Sequence, residues 1–279
     1  MTEPDWRRLN RANWDERVAI HLRSRTMYSQ AKLRAGTAHP EPLSAAVLGP
    51  LQGQKLLHLQ CHFGMDSLAL AQHGADVVGV DFSVPAIETA RALASELGLA
   101  DRARFVVSDV YETPSALPEP ASFDRVFVSW GALCWLPDMV GWAHVVAHFL
   151  KPGGWLALAE AHPAAYVFDS AAKMASPDGM PGWFMPYLGR DPLIEDRTED
   201  YADPDAVLSN TRTHEWLHPI SDILMGLIGA GLRIDRFLEH DSIRWPMFDC
   251  LVSDGAGGYR WPDKCWLPLS YSLRASKPA

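Results

Sequence analysis

The sequence predicts an α/β fold, a doubly wound parallel sheet with helices on both faces. Three observations carry this. Short apolar runs alternate with longer helical patterns between residues 55 and 160, the signature of βαβ units with right-handed crossovers. An acidic residue, Asp81, closes the second apolar run about twenty residues beyond the turn that follows the first. The strand and helix patterns then return between 221 and 275, after a long aperiodic stretch.

Taken in order, 14–33 carries apolar groups at loosely helical spacing, with Asn13 as N-cap and Gly36 as stop, and reads as one or two helices. A further short helical piece lies between prolines in 39–50. Strands follow at 55–60, 76–80, 103–107, 123–129 and 155–160, and helices at 65–73, 84–97 and 139–150. Residues 161–210 are rich in Pro, Gly, Asp and aromatic residues without clear periodicity, and read as an insertion or lid. A helix at 221–229 and strands at 232–239 and 267–275 complete the sheet. A chain of 279 residues has room for one domain built this way: a helical cap over 1–50, a ligand-binding core over 51–160, a lid over 161–218 and a C-terminal completion over 219–279.

The formal charge of −9 works against a nucleic-acid partner, which Lys and Arg clusters would have to neutralise. Cys61, Cys134, Cys250 and Cys265 lie far apart and read as reduced thiols. The first residues lack the apolar core of a secretory signal, and no apolar run approaches the length of a membrane span. These features set the expectation of a soluble, cytoplasmic protein with a small-molecule partner and no membrane contact.

In an open parallel sheet, ligands bind at the carboxyl ends of the strands. Here these ends read His58-Leu59-Gln60-Cys61-His62-Phe63-Gly64, Val80-Asp81-Phe82-Ser83, Ser108-Asp109-Val110 and Ser129-Trp130. Asp81 stands where a carboxylate accepts from ribose hydroxyls, which points to a nucleoside-containing ligand. A dinucleotide needs small glycines at the first turn so that the backbone approaches the pyrophosphate. Gln60, His62 and Phe63 are bulky and only Gly64 is small, so the turn disfavours NAD and suits S-adenosylmethionine, whose zwitterionic tail polar groups can hold. Asp109 is placed to accept from the adenine amino group.

The ordered set of strand ends, with Phe123-Asp124 and the Leu150-Lys151-Pro152-Gly153-Gly154 turn, resembles the motifs of class I S-adenosylmethionine-dependent methyltransferases over roughly residues 55–160. Within them, HLQCHFG, Trp135-Leu136-Pro137-Asp138 and Glu160-Ala161-His162-Pro163 resemble a bacterial group. The usual first motif is acidic-x-Gly-x-Gly-x-Gly, and this chain departs from it with His58, Gln60 and His62 at the first three positions. The resemblance implies a Rossmann-like, seven-stranded methyltransferase sheet. It also implies a cofactor site of His58, Gln60, Cys61, His62, Gly64, Asp81, Phe82, Ser83, Asp109, Val110, Ser129 and Trp130.

Methyl transfer from a sulfonium needs mainly proximity, alignment and exclusion of water. If the acceptor must lose a proton, His162 is the first candidate base, against a simpler role capping the turn before Pro163. His21, His214 and His218 are weaker candidates. Tyr28, Trp135 and Trp216, with His162, are the candidate acceptor contacts, and Trp14 and Tyr28 belong to helices that in related enzymes close over the acceptor. No metal is expected, because strand alternation points His58 and Cys61 to opposite faces and Cys61 reads more simply as a small core residue. Two other readings keep the fold: an NAD(P)-dependent oxidoreductase and a non-catalytic S-adenosylmethionine-binding protein.

Overall fold

The computed structural model describes residues 3–24, 27–168, 183–255 and 257–279. Of the expected lid, residues 169–182 lie outside the described residues. In chain order the elements are α1 (Asp5–Arg23), α2 (Ala31–Arg34), α3 (Pro42–Leu48), β1 (Lys55–Leu59), α4 (Met65–Gln72), β2 (Asp76–Asp81), α5 (Val84–Glu96), β3 (Ala103–Val107), α6 (Thr113–Ala116) and β4 (Phe123–Ser129). There follow α7 (Met139–Phe149), β5 (Leu150–Ala161), β6 (Leu193–Asp196), β7 (Arg212–Glu215), α8 (Ile220–Gly229), β8 (Arg233–His240), β9 (Ser242–Ile243), β10 (Val252–Ser253), β11 (Tyr259–Arg260) and β12 (Ser270–Ser276).

Seven strands form one sheet in the order β3-β2-β1-β4-β5-β12-β8. The strands from β3 to β5 pair in parallel, whereas β12 runs antiparallel to both β5 and β8. The order reverses between β1 and β4, so a crevice opens above the carboxyl ends of those strands, where ligands bind in such sheets. Helices cover both faces. One core holds Trp142, Phe123, Phe149 and Tyr271, each at most 1% exposed, and the other gathers Leu56, Phe63, Leu68 and Phe105 on the opposite side. Strands buried on both faces read as continuous apolar runs, such as Leu56-Leu57 and Val77-Val78.

The first helix differs from the sequence expectation. It starts at Asp5 behind Pro4, not at Asn13, which lies inside it and is fully buried. Its buried stripe is Asn10, Asn13, Arg17 and His21, spaced by three and four residues, so the periodicity is helical but polar. These groups are satisfied by the insertion: the Asn10 side chain donates to the His214 carbonyl (2.9 Å) and accepts from its amide (2.8 Å), and Asn13 donates to the Asn210 carbonyl (2.6 Å). Glu16 accepts from the amides of Ser209 and Asn210, each at 2.8 Å. Gly36 ends α2 as expected, with φ +66° and its neighbour's amide reaching back to the Lys32 carbonyl. Within the expected lid, β6 and β7 pair as a two-stranded ribbon. No helix among the described residues is long and apolar enough to cross a membrane.

Candidate functional site

The turn after β1 is built against conformational preference. Gln60 (φ +56°) and His62 (φ +50°) both adopt the left-handed region, as does Gly64 (φ +78°). For residues with a Cβ this costs ~1–2 kcal/mol each, and strain of that kind persists only where its surroundings enforce it. Here the Cys61 amide donates to the Val80 carbonyl (2.9 Å) and the His62 amide to Asp81 Oδ2 (2.8 Å). At Gly64 an added Cβ would lie 2.7 Å from the Phe105 ring, so no larger residue fits. Gln60 Nε2 donates to the Ala132 carbonyl (2.8 Å), which leaves Gln60 Oε1 buried without a partner.

His58, at the position of the usual acidic residue, is buried. Its Nδ1 lies 2.8 Å from Ser67 Oγ and its Nε2 3.5 Å from Ser129 Oγ. Burial drives its pKa down to about 3, so it is a neutral brace between β1, α4 and β4. Cys61 is buried against Gly79 and Phe105, a packing role. Among the described residues no three His, Cys, Asp or Glu side chains are arranged to hold a metal.

Asp81 ends β2, 8% exposed, with Oδ2 on the His62 amide and Oδ1 on the Ser83 amide (2.9 Å). Burial pushes its pKa up to about 6; the backbone amides oppose that shift, and the nearby Asp15 carboxylate adds to it. Ser83 caps α5 through the Ala86 amide (3.2 Å), and Phe82 lies between the two. Asp15 comes from α1, and its Oδ1 is buried without a partner. At the end of β3, Asp109 accepts from the Tyr111 amide (2.8 Å) and pairs with Arg7 Nε at 3.2 Å, beside the buried Val110. Two residues of α1 thus reach the two carboxylates that the sequence singled out.

The cap continues into an aromatic and histidine cluster. His21 Nδ1 lies 2.9 Å from His62 Nε2, and His21 Nε2 lies 3.2 Å from Asp200 Oδ2, which also takes Arg17 at 2.7 Å. Tyr28 stacks on His21 with ring centroids 4.3 Å apart, and its hydroxyl meets that of Tyr201 at 2.6 Å. Trp14 bridges His62 (5.2 Å) and Trp135 (5.3 Å) edge to face. Burial raises the Asp200 carboxyl, but His21, the Ala202 amide and Arg17 together outweigh it and hold the group below its ordinary value.

Beyond β4, Trp130 (φ +23°) and Gly131 (φ +74°) turn the chain. The buried Glu160 carboxylate fixes this turn by accepting from the amides of Gly131 (2.5 Å), Ala132 (2.9 Å), Leu133 (3.3 Å) and Ala161 (2.8 Å). Next to it lies a cavity of about 40 Å³, bounded by Gly131, Cys134, Tyr166, Glu215, Trp216 and Tyr271 among others.

The structure therefore gathers Gln60, His62, Gly64, Asp81, Ser83 and Ser129, sets Asp109 and Val110 at the next strand end, and brings Tyr28 and Trp135 to the first turn through His62 and Trp14. Trp216 reaches the cavity instead, and Trp130 packs its ring edge-on against Trp245 (5.9 Å). His162 does not line the cavity. Its Nδ1 accepts from the Ala164 amide (3.1 Å) and its Nε2 lies 3.0 Å from Glu239 Oε1, outside hydrogen-bond geometry. This is the turn-capping arrangement, and it leaves neither ring nitrogen facing the strand-end crevice. Of the weaker histidine candidates, His218 lines the cavity and His21 joins the first turn, whereas His214 stacks on Trp216. Arg7, Asp15, Asp200, Glu160, Glu215 and Tyr271 are not singled out by the sequence as site residues; the available signal for the cap is the three- and four-residue spacing of Asn10, Asn13, Arg17 and His21, which apolar periodicity does not register.

Residues 56–154 match the family described as "Methyltransferase domain". The chain is 34% identical over 109 residues to a ubiquinone biosynthesis O-methyltransferase of Paracidovorax citrulli, covering 39% of this chain and 44% of that protein. It is 34% identical over 113 residues to a demethylmenaquinone methyltransferase of Clavibacter sepedonicus, covering 40% and 43%. The match thus spans under half the length of these curated relatives. Among solved structures, an S-adenosylmethionine-dependent methyltransferase from Mesorhizobium loti aligns with a TM-score of 0.59 at 22% identity, over 85% of this chain and 96% of that one. The fold is the Rossmann-like, seven-stranded sheet of such enzymes.

Proposed function

We propose that this protein transfers the methyl group of S-adenosylmethionine to an oxygen or nitrogen of a small molecule. The observation that carries the reading is the array of strand ends: a polar, bulky first turn, a ribose-type carboxylate at Asp81 and a second carboxylate at Asp109. The donor set fits the cofactor. The orphaned Gln60 Oε1 supplies an acceptor for the methionine ammonium in place of the charge that His58 lacks. In this reading Asp81 and the unpartnered Asp15 Oδ1 are the acceptors for the ribose hydroxyls, and Asp109 is the acceptor for the adenine amino group. Gln60 and His62 occupy the space that a pyrophosphate would require, which disfavours NAD.

When bound, the sulfonium supplies an already activated methyl group. The chain's own contribution is alignment and exclusion of water, worth up to ~7–11 kcal/mol from positioning. Trp14, Tyr28 and Trp135 close the crevice beside the first turn, and Glu160 holds the loop that separates cofactor from acceptor. With labelled S-adenosylmethionine and a panel of small hydroxyl and amine compounds, label transfers to at least one acceptor class. Tight S-adenosylhomocysteine binding with no transfer to any member supports a binding protein instead.

Asp81 makes the cofactor site pH-dependent. Its raised pKa means that its contribution to folding is complete below the ordinary carboxylate value of 3.8 and is lost as pH rises through about 6. The ionised form is thus held at a cost that ligand hydroxyls relieve. Because the ribose binds the ionised form, S-adenosylhomocysteine affinity is flat at neutral pH and falls about tenfold per unit once pH drops below the Asp81 value. Calorimetric titration between about pH 5 and pH 8 reads this, and a flat profile contradicts it.

A further inference from the structure

We propose that the cavity beside the Gly131 turn seats the reacting group of the acceptor, and that this group is an amine, held as a cation between Glu215 and the aromatic walls of Tyr166 and Trp216. The proposal rests on the methyl-transfer reading and adds the substrate class to it.

The location follows from the loop. Gly131 lines the cavity, and the next residue, Ala132, binds Gln60 of the cofactor turn through its carbonyl. The cavity therefore lies beside the loop that the first turn grips through Gln60. Its volume of about 40 Å³ suits a head group with a few polar contacts, not a whole acceptor, since a single water needs ~10–15 Å³ on the same measure.

The chemistry follows from the polar atoms. Among the described residues no Lys or Arg lines the cavity, whereas Glu160 and Glu215 both do. Glu160 is saturated by four backbone amides. Glu215 is half-buried and makes no side-chain hydrogen bond or ion pair among the described residues; Arg197 and Arg17 attract it only at longer range. His218 donates from Nε2 to the Leu136 carbonyl (2.7 Å), and burial holds its pKa below the ordinary histidine value, so it brings no positive charge to the cavity. Independently of the acids, the hydroxyl of Tyr271 is buried without a partner in a side chain that is 0% exposed and lines the same cavity. The Glu215 carboxylate, which only accepts, calls for a ligand that donates protons and carries positive charge, and the Tyr271 hydroxyl is free to accept from the same ligand. Two aromatic rings add attraction for a cation, whereas a phenolate or carboxylate would meet the unpaired Glu215 carboxylate without compensation.

The reaction balances within this set. The ammonium gives a proton to the Glu215 carboxylate, whose pKa burial has raised towards a working base. The freed nitrogen lone pair then forms the C–N bond as the C–S bond breaks, leaving a methylated ammonium and a neutral thioether.

The test titrates protein saturated with S-adenosylhomocysteine against benzylamine, benzyl alcohol and phenol, in the native chain and in Glu215→Gln. Benzylamine is expected to bind at least tenfold more tightly than either oxygen compound. That preference is expected to vanish in Glu215→Gln while S-adenosylhomocysteine affinity stays within twofold. Equal or tighter binding of the alcohol or phenol, no measurable binding of the amine, or a preference that survives Glu215→Gln overturns the amine assignment. Failure of S-adenosylhomocysteine itself to bind is a separate result, and it overturns the methyl-transfer reading on which the assignment stands.

Discussion

Asp81→Ala weakens S-adenosylhomocysteine binding by at least about 100-fold. The carboxylate is expected to accept from both ribose hydroxyls, and hydrogen bonds to a charged acceptor are worth ~1.5–3 kcal/mol each, with each 1.4 kcal/mol a factor of about ten. The substitution also frees the His62 amide, which Asp81 Oδ2 now holds at 2.8 Å, so the strained first turn relaxes as well. Because the folded chain carries this carboxylate with its pKa raised to about 6, its removal does not destabilise the fold in proportion. Calorimetry on the variant, with circular dichroism to verify folding, separates the two effects. Unchanged affinity in a folded variant contradicts the site.

Asp200→Ala lowers the free energy of unfolding by about 3 kcal/mol or more. The Asp200 side chain is fully buried and Arg17 is 8% exposed, and removing one partner of a buried pair leaves the other charge uncompensated at a cost of ~3–5 kcal/mol. His21 loses its acceptor at the same time. The loss falls on the contact between α1 and the insertion, which polar pairs hold more than apolar burial does. Amide exchange along α1 therefore speeds up before the sheet is affected. Chemical denaturation measures the first effect and hydrogen exchange the second; a change under about 1 kcal/mol contradicts the account of how the cap is held. The sign with pH is fixed by the same pair. The Asp200 pKa lies below its ordinary value, so its contribution is present above that value and lost as pH falls through the lower, folded-state one.

The contrast between these two aspartates shows what local sequence encodes. The position of Asp81 at the end of β2 is legible because a strand end, a turn and a helix start lie within a few residues of it. The strands β1 to β4 were legible for the same reason, as short apolar runs between breakers. Asp200 was not, because its partners Arg17 and His21 lie about 180 residues away in sequence and the intervening stretch has no period. The start of α1 was misplaced because its buried face is Asn10, Asn13, Arg17 and His21, a stripe that a search for apolar periodicity passes over. β6 and β7 escape the sequence pattern because β7 reads Arg-Thr-His-Glu and is held against α1 by polar bonds, not by alternating apolar residues, and β9 to β11 because their two-residue strands are too short to show a period. His162 stands past the fifth strand as the sequence indicates, and its ring is turned by the Ala164 amide two residues on, the turn cap that the sequence offers as the simpler role, together with Glu239 from β8, which the local sequence does not reveal.

The most direct test of the central claim is isothermal titration of the purified chain with S-adenosylhomocysteine, run beside NAD. Micromolar or tighter binding of S-adenosylhomocysteine with no heat from NAD is the result expected from the strand-end array. Binding of NAD, or of neither ligand, would contradict it and remove the basis for reading the first turn as a methyl-donor site.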